Sequence, residues 1–225
     1  MTTQTVRVPP RVPQEERTRA MRARLLEATV ECLVEYGFSG ASTTLISQRA
    51  GVSRGAQLHH FPTKNDLVVA AVEHLAVVRG AELQRALGQV PAGSRRTRAV
   101  LEVLAEHFTS PVFTAALELW VAARTDPQLL AAVAPLEQRV GREVHQVTAA
   151  ALGVDAAAPG ARELVQATLD LVRGLGLANT ITDDAKRRKR ILDQWARTLH
   201  QALDALAATP TSNPTRPTNS PAKGA

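Results

Sequence analysis

Apolar residues recur at spacings of three and four along most of this chain, and nowhere do they alternate with polar residues as in a half-buried strand. That periodicity predicts an all-α protein, because amphipathic helices can bury their stripes only against one another. Composition agrees: 44% of the 225 residues are hydrophobic but only 3% are aromatic, and alanine is frequent, which suits closely packed helices. The clearest early element runs through Leu25, Thr29, Cys32, Leu33 and Tyr36 and is closed by Gly37. Ser42 can cap a short helix ending at Ala50, with Ile46 and Ala50 on one face. Thr63-Lys64-Asn65-Asp66 is a capping box that opens a longer helix through Leu67, Val68, Ala71, Val72 and Leu75.

The remainder is helical by the same period. Val100, Leu104, His107 and Phe108 share one face, as do Phe113, Leu117 and Trp120, with Pro111 suited to a first turn between them. Leu129, Val133, Leu136, Val140, Val144, Val147 and Ala151 form a long stripe ended by Gly153. Leu164, Thr168, Leu171 and Leu175 line another helix, and Leu192, Trp195, Leu199, Ala202 and Leu206 a last one introduced by Thr182-Asp183-Asp184. The start, with Pro9, Pro10 and Pro13, and the tail TPTSNPTRPTNSPAKGA lack apolar surface to offset ordering entropy. Residues 1–17 and 209–225 are therefore expected to be disordered, with structure from Thr18 to Ala208.

A net charge of +6 and a pI near 10.4 suit an acidic partner such as nucleic acid or an anionic surface. The single cysteine, Cys32, excludes an intramolecular disulfide and multi-cysteine zinc sites, and among its apolar neighbours it reads as a buried thiol. The N-terminal stretch carries no apolar h-region, and no run of about 18 apolar residues occurs, so a cytoplasmic protein with no membrane partner is expected.

One motif pulls toward a different chemistry. Gly51-Val52-Ser53-Arg54-Gly55 fits G-x-S-x-G, the elbow that carries a nucleophilic serine, and His59-His60 follows. An elbow needs a strand running into its first glycine, whereas ASTTLISQRA before Gly51 is polar with apolar residues at helical spacing. Helix, glycine turn and serine-capped helix is the helix-turn-helix arrangement, whose second helix lies in the DNA major groove. Ser53 then caps that helix and can also approach a phosphate.

The stretch GFSGASTTLISQRAGVSRGAQLHHFPTKNDL resembles the N-terminal domain of the TetR family of transcriptional regulators. The resemblance rests on the helix ending in Tyr36-Gly37-Phe38, Ile46 and Ala50, Gly51-Val52-Ser53, Gly55, His60-Phe61, and Lys64 before Leu67, and covers about Arg22 to Leu75. It implies a three-helix helix-turn-helix DNA-binding domain over residues 18–66 and a helical effector-binding and dimerisation domain over 67–208. It assigns Thr44, Ser53, Arg54, Gly55, Ala56, Leu58, His59, His60 and Lys64 to the DNA face. Gln57 stands where the family usually has a core aliphatic residue: its amide could read adenine, or it packs. Leu58 could touch a thymine methyl, or pack. Ala56-Gln57-Leu58 replaces the family's usual T-L-Y, Ser47 a usual alanine, and Thr44 and Leu45 commonly charged positions, so base contacts cannot be transferred wholesale.

The body offers fewer specific signals. His107, Phe108, Phe113, Leu117 and Trp120 are core candidates by spacing, and the resemblance implies that some line an effector cavity. Leu171, Leu175, Leu192, Trp195 and Leu199 are core candidates too, and the resemblance adds a four-helix dimer interface built from the last two helices, about Arg162 to Ala178 and Ala185 to Ala207, with small Gly174 and Gly176 permitting close approach. The basic run Lys186 to Arg190 reads as a solvated helix start beside Asp183 and Asp184. None of the histidines follows a glutamate by three residues, as a di-iron bundle requires, and no metal, cofactor or catalytic residue is expected. The resulting expectation is a homodimeric repressor that binds a palindromic duplex operator and is released by a mainly apolar small molecule. The competing classes are an all-α enzyme, either hydrolase or metal-binding bundle, and a helical interaction module with no DNA role.

Overall fold

The computed structural model describes residues 14–155 and 157–208. Among them are nine α-helices: α1 (Gln14–Gly40), α2 (Thr43–Ala50), α3 (Arg54–His60), α4 (Lys64–Gly88), α5 (Arg96–Phe108), α6 (Pro111–Ala123), α7 (Pro127–Leu152), α8 (Ala161–Asn179) and α9 (Ala185–Ala208). The boundaries follow local chemistry. Ser42, Ser53 and Ser110 each accept a backbone N–H from the first turn of the helix that follows, and Asp126 accepts two at the start of α7. Thr63 and Asp66 complete the capping box of α4 in both directions. Gly51 and Gly153 end α2 and α7 in the left-handed conformation.

The expected start at Thr18 is too late. Gln14 to Arg17 already lie in α1, whose first turn carries Glu15 and Glu16 against the positive end of the helix dipole. The rest of that expected arm, and the tail from Thr209, fall outside the described residues.

Two apolar cores hold the helices together. The first joins Leu25 and Leu33 of α1, Ile46 of α2 and Leu67 of α4 to Leu119 of α6 and Leu129 and Val133 of α7. The second gathers Leu83 and Leu87 of α4, Leu101 and Leu104 of α5, Val165 and Leu169 of α8, and Leu192 and Leu199 of α9. Trp120 and Val140 pack against both. The boundary expected between residues 66 and 67 therefore falls inside α4, and the first core runs across it. Gly176 is the tightest crossing: a methyl added there would overlap the carbonyl oxygen of Phe108, so α8 meets α5 backbone to side.

Candidate nucleic-acid interface and interior cavity

Helix α3 is short because both its ends are fixed by its own side chains. The Ser53 hydroxyl accepts the Ala56 N–H at 3.2 Å, and Gln57 Nε2 donates to the Phe61 carbonyl at 2.8 Å. Its helical period then sorts its residues. Arg54, Gly55, Leu58 and His59 are exposed on the outer face, Ala56 and His60 are half-buried, and Gln57 is 0% exposed. Thr44 of α2 and Ser53 are exposed beside them. Gln57 is thus corrected to a core position: its amide is spent inside the domain and cannot reach a base edge. Arg54 makes no ion pair or hydrogen bond among the described residues, which leaves its guanidinium free for an external anion. A Cβ added at Gly55 would meet nothing within 4 Å, so no fold constraint explains the glycine. Leu58, 43% exposed, is an apolar side chain on a polar surface.

The α2–α3 pair is fastened to α1 by charge and stacking. Arg49 of α2 bonds Glu35 at 2.5 Å and lies 5.5 Å from the Tyr36 ring centroid, while Arg22 stacks over Phe61 at 4.6 Å. Lys64, the first residue of α4, donates to the carbonyl of Phe38 and sits 4.2 Å from that residue's ring centroid. Burial there holds the Lys64 ammonium below the usual lysine range. On the other side of the same peptide segment, the Phe38 N–H donates to Glu118 Oε2 of α6 at 3.1 Å. Gly37 just before it has φ 67°, and any side chain there would crowd the Glu118 carboxylate. Asn65 Nδ2 adds a bond to Asp126 at the start of α7, at 3.2 Å.

Behind α6 lies a cavity of about 530 Å³, within the range of small-molecule sites. Phe108, Phe113 and Trp120 form its aromatic wall as a ladder of edge-to-face contacts, with centroids 5.4 and 5.9 Å apart. Val72 and Leu83 of α4 and Leu136 and Val144 of α7 supply aliphatic lining. His107, Arg79, Glu137, Glu143 and Arg173 bring polar groups to it. Burial, then the nearby Arg79, push the His107 imidazole below its ordinary pKa. Burial raises the Glu137 carboxyl, with Trp120 and Arg173 partly opposing.

A profile of the bacterial regulatory proteins of the tetR family matches residues 25–71. The HTH-type transcriptional regulator CymR of Pseudomonas putida is 30% identical over 187 residues, spanning 81% of this chain and 91% of CymR. The chain belongs to the TetR family. A further HTH-type transcriptional regulator, from Mycobacterium tuberculosis, is 27% identical over 181 residues, 80% of this chain and 88% of the relative. The structure of a transcriptional regulator from Rhodococcus sp. RHA1 superposes with a TM-score of 0.64 at 25% identity, covering 81% of this chain and 97% of the other. TetR-family regulators bind DNA and act as dimers, and this chain is a DNA-binding transcriptional regulator.

As a TetR-family protein it uses Gly51-Val52-Ser53-Arg54-Gly55 as the turn of a helix-turn-helix: helix α2, not a strand, enters the glycine. Of the residues expected around a cavity, His107, Phe108, Phe113 and Trp120 line it. Leu117 does not; it packs against the second core. Among the residues expected at a dimer interface, Leu175, Leu192 and Leu199 are buried within their own chain, Leu199 at 0% exposure. Leu171 and Trp195 are half-buried, and the Trp195 indole donates to Thr168 Oγ1 at 3.1 Å. Gly176 is likewise used inside the chain, whereas Gly174 faces open space. Glu118 and Glu137 escaped the sequence reading. Glu118 had a signal, being the lone charge in the apolar helix PVFTAALELWVAA, whereas Glu137 sits at the edge of an amphipathic stripe where acids are ordinary. Among the described residues no helix is long and apolar enough to cross a membrane.

Proposed function

We propose that this chain is a repressor that grips a near-palindromic duplex as a dimer and releases it when a small molecule fills the cavity behind α6. In this reading α3 enters the major groove, with Arg54, Leu58 and His59 toward base edges and Ser53 and Thr44 toward phosphate. The supporting observation is the double role of α6. One face, with Phe113 and Trp120, walls the cavity; another carries Glu118, which holds the Phe38 peptide that in turn receives Lys64. A ligand that repacks the aromatic wall displaces α6 and pulls on the end of α1 and the start of α4, the two helices that carry α2 and α3. Differential affinity of the ligand for the two arrangements then sets the fraction bound to DNA.

The dimer face consists of the outward residues of α8 and α9, because their inward stripes are consumed by the core. Ala167, Gly174 and Leu177 present a small and apolar strip on α8, with Leu177 at 50% exposure and space around Gly174. The DNA-binding body comprises α1 to α3 with the first turn of α4, and the rest of the chain carries the cavity and the dimer face.

Selection of bound sequences from a random duplex pool tests this function. Enrichment of an inverted repeat bound by two chains is expected, and enrichment of a single non-repeated site, or of nothing, removes the operator proposal. Screening small molecules against the selected duplex tests release: at least one cavity-binding compound is expected to lower DNA affinity.

A further inference from the structure

The charges around the cavity are unevenly balanced. Arg79 is paired with Glu82 at 2.6 Å and Arg173 with Asp170 at 2.7 Å, so both guanidiniums reaching the wall bring counter-charges with them. Glu143 is exposed to solvent. Glu137, half-buried on α7, forms no ion pair among the described residues. The imidazole of His107 adds no positive charge near neutral pH, because burial and Arg79 both disfavour its protonation. Trp120 Nε1 and Arg173 Nε are donors without partners, but both are occluded from the void by surrounding side chains and so are not offered to an acceptor inside it. What remains facing an occupant is one uncompensated acid beside the faces and edges of Phe108, Phe113 and Trp120.

We propose that the cavity takes an organic ammonium ion, a protonated amine or quaternary nitrogen on an apolar body, with its charge against Glu137 and its body along the aromatic wall. Three arguments favour a cation. An ammonium both neutralises a carboxylate held in a poorly hydrated site and gains from aromatic faces. A ligand carboxylate would meet Glu137 as a like charge at short range. A neutral apolar ligand would strip water from Glu137 and return nothing to it. This identification of the ligand class rests on the proposed role of the cavity as an effector site.

Isothermal titration of the full chain near neutral pH with 4-phenylbutylamine, 4-phenylbutan-1-ol and 4-phenylbutyrate isolates the charge at nearly constant shape. The amine should bind about tenfold or more tighter than either analogue, the difference expected of a charge-assisted contact. Glu137→Gln should remove that preference while leaving the alcohol within about twofold, and Glu137→Asp, which keeps the charge, should retain it. Equal or tighter binding of the alcohol or the acid, or an undiminished preference in Glu137→Gln, would overturn the ammonium site. Heat from none of the three probes would overturn it together with the effector cavity. Amine binding through Glu137 that leaves affinity for the selected duplex unchanged would uphold the ammonium site and overturn the effector role alone.

Discussion

The Phe38 backbone N–H donates to the Glu118 carboxylate at 3.1 Å, joining residues 80 apart in sequence across the contact between α1 and α6. Because Phe38 also offers its carbonyl to Lys64, a single peptide segment ties the cavity helix to two helices of the DNA-binding body. Glu118→Ala leaves a part-buried amide without its charged acceptor and should cost about 1.5–3 kcal/mol in urea unfolding. Glu118→Gln, which keeps an acceptor oxygen, should recover part of that. A loss in Glu118→Ala indistinguishable from zero would mean that the bond is replaced by water and transmits nothing.

Gly55 separates folding from recognition. Alanine there meets nothing within 4 Å and replaces the poorest common helix former but one, so Gly55→Ala should raise stability by about 0.5–1 kcal/mol. If α3 lies against DNA, the same change should weaken duplex binding. Arg54→Ala should lower DNA affinity without changing the unfolding midpoint, since the side chain has no partner in the protein. Duplex affinity undiminished in both variants would place the DNA surface elsewhere.

Ser47 is 4% exposed, and its hydroxyl finds no hydrogen-bond partner. Ser47→Ala removes an unsatisfied buried group at almost constant volume and should stabilise the protein by about 1 kcal/mol. Chemical denaturation with unchanged m-value would report it, and destabilisation would mean that an internal water satisfies the hydroxyl.

Burial raises the pKa of Glu137 in the folded chain above its ordinary value of 4.5. The folded state therefore holds the proton more tightly than the unfolded state. The corresponding stability is fully present below the ordinary carboxylate pKa and is lost as pH rises through the elevated one. Glu137→Gln removes the charged form, so it should be more stable than wild type near pH 7 to 8 and show no such advantage near pH 4. Parallel pH profiles of the unfolding midpoint for the two proteins would contradict the burial of this acid.

Two leucines distinguish the inward from the outward side of the C-terminal helices. Leu199→Glu places a charge in a fully buried site and should abolish cooperative folding. Leu177→Glu alters a half-exposed position on the strip proposed for dimerisation and should give monomers with native helical content by sedimentation and circular dichroism. A Leu177→Glu protein that remains dimeric would shift the interface to another face.

Helix identity and ends were legible in the sequence because they are decided within one turn. The caps at Ser42, Ser53 and Thr63, the stops at Gly51 and Gly153, and the proline at the start of α6 depend on neighbours three or four residues away, and each lies where its chemistry put it. The helix-turn-helix was legible for the same reason, its glycine and serine fixing a local turn. A stripe on a helix, by contrast, states that a face is covered without stating by what. Leu192 and Leu199 turned inward to α5 and α8, and Gln57 turned away from the recognition surface, because packing between distant helices chose among faces that periodicity alone leaves equivalent. Glu118 and Glu137 acquired their positions in the same way. An acid becomes a tether, or an uncompensated charge in a cavity wall, only when a remote segment brings an amide to it or shuts water away from it. That is decided by how the helices pack, which local sequence does not encode.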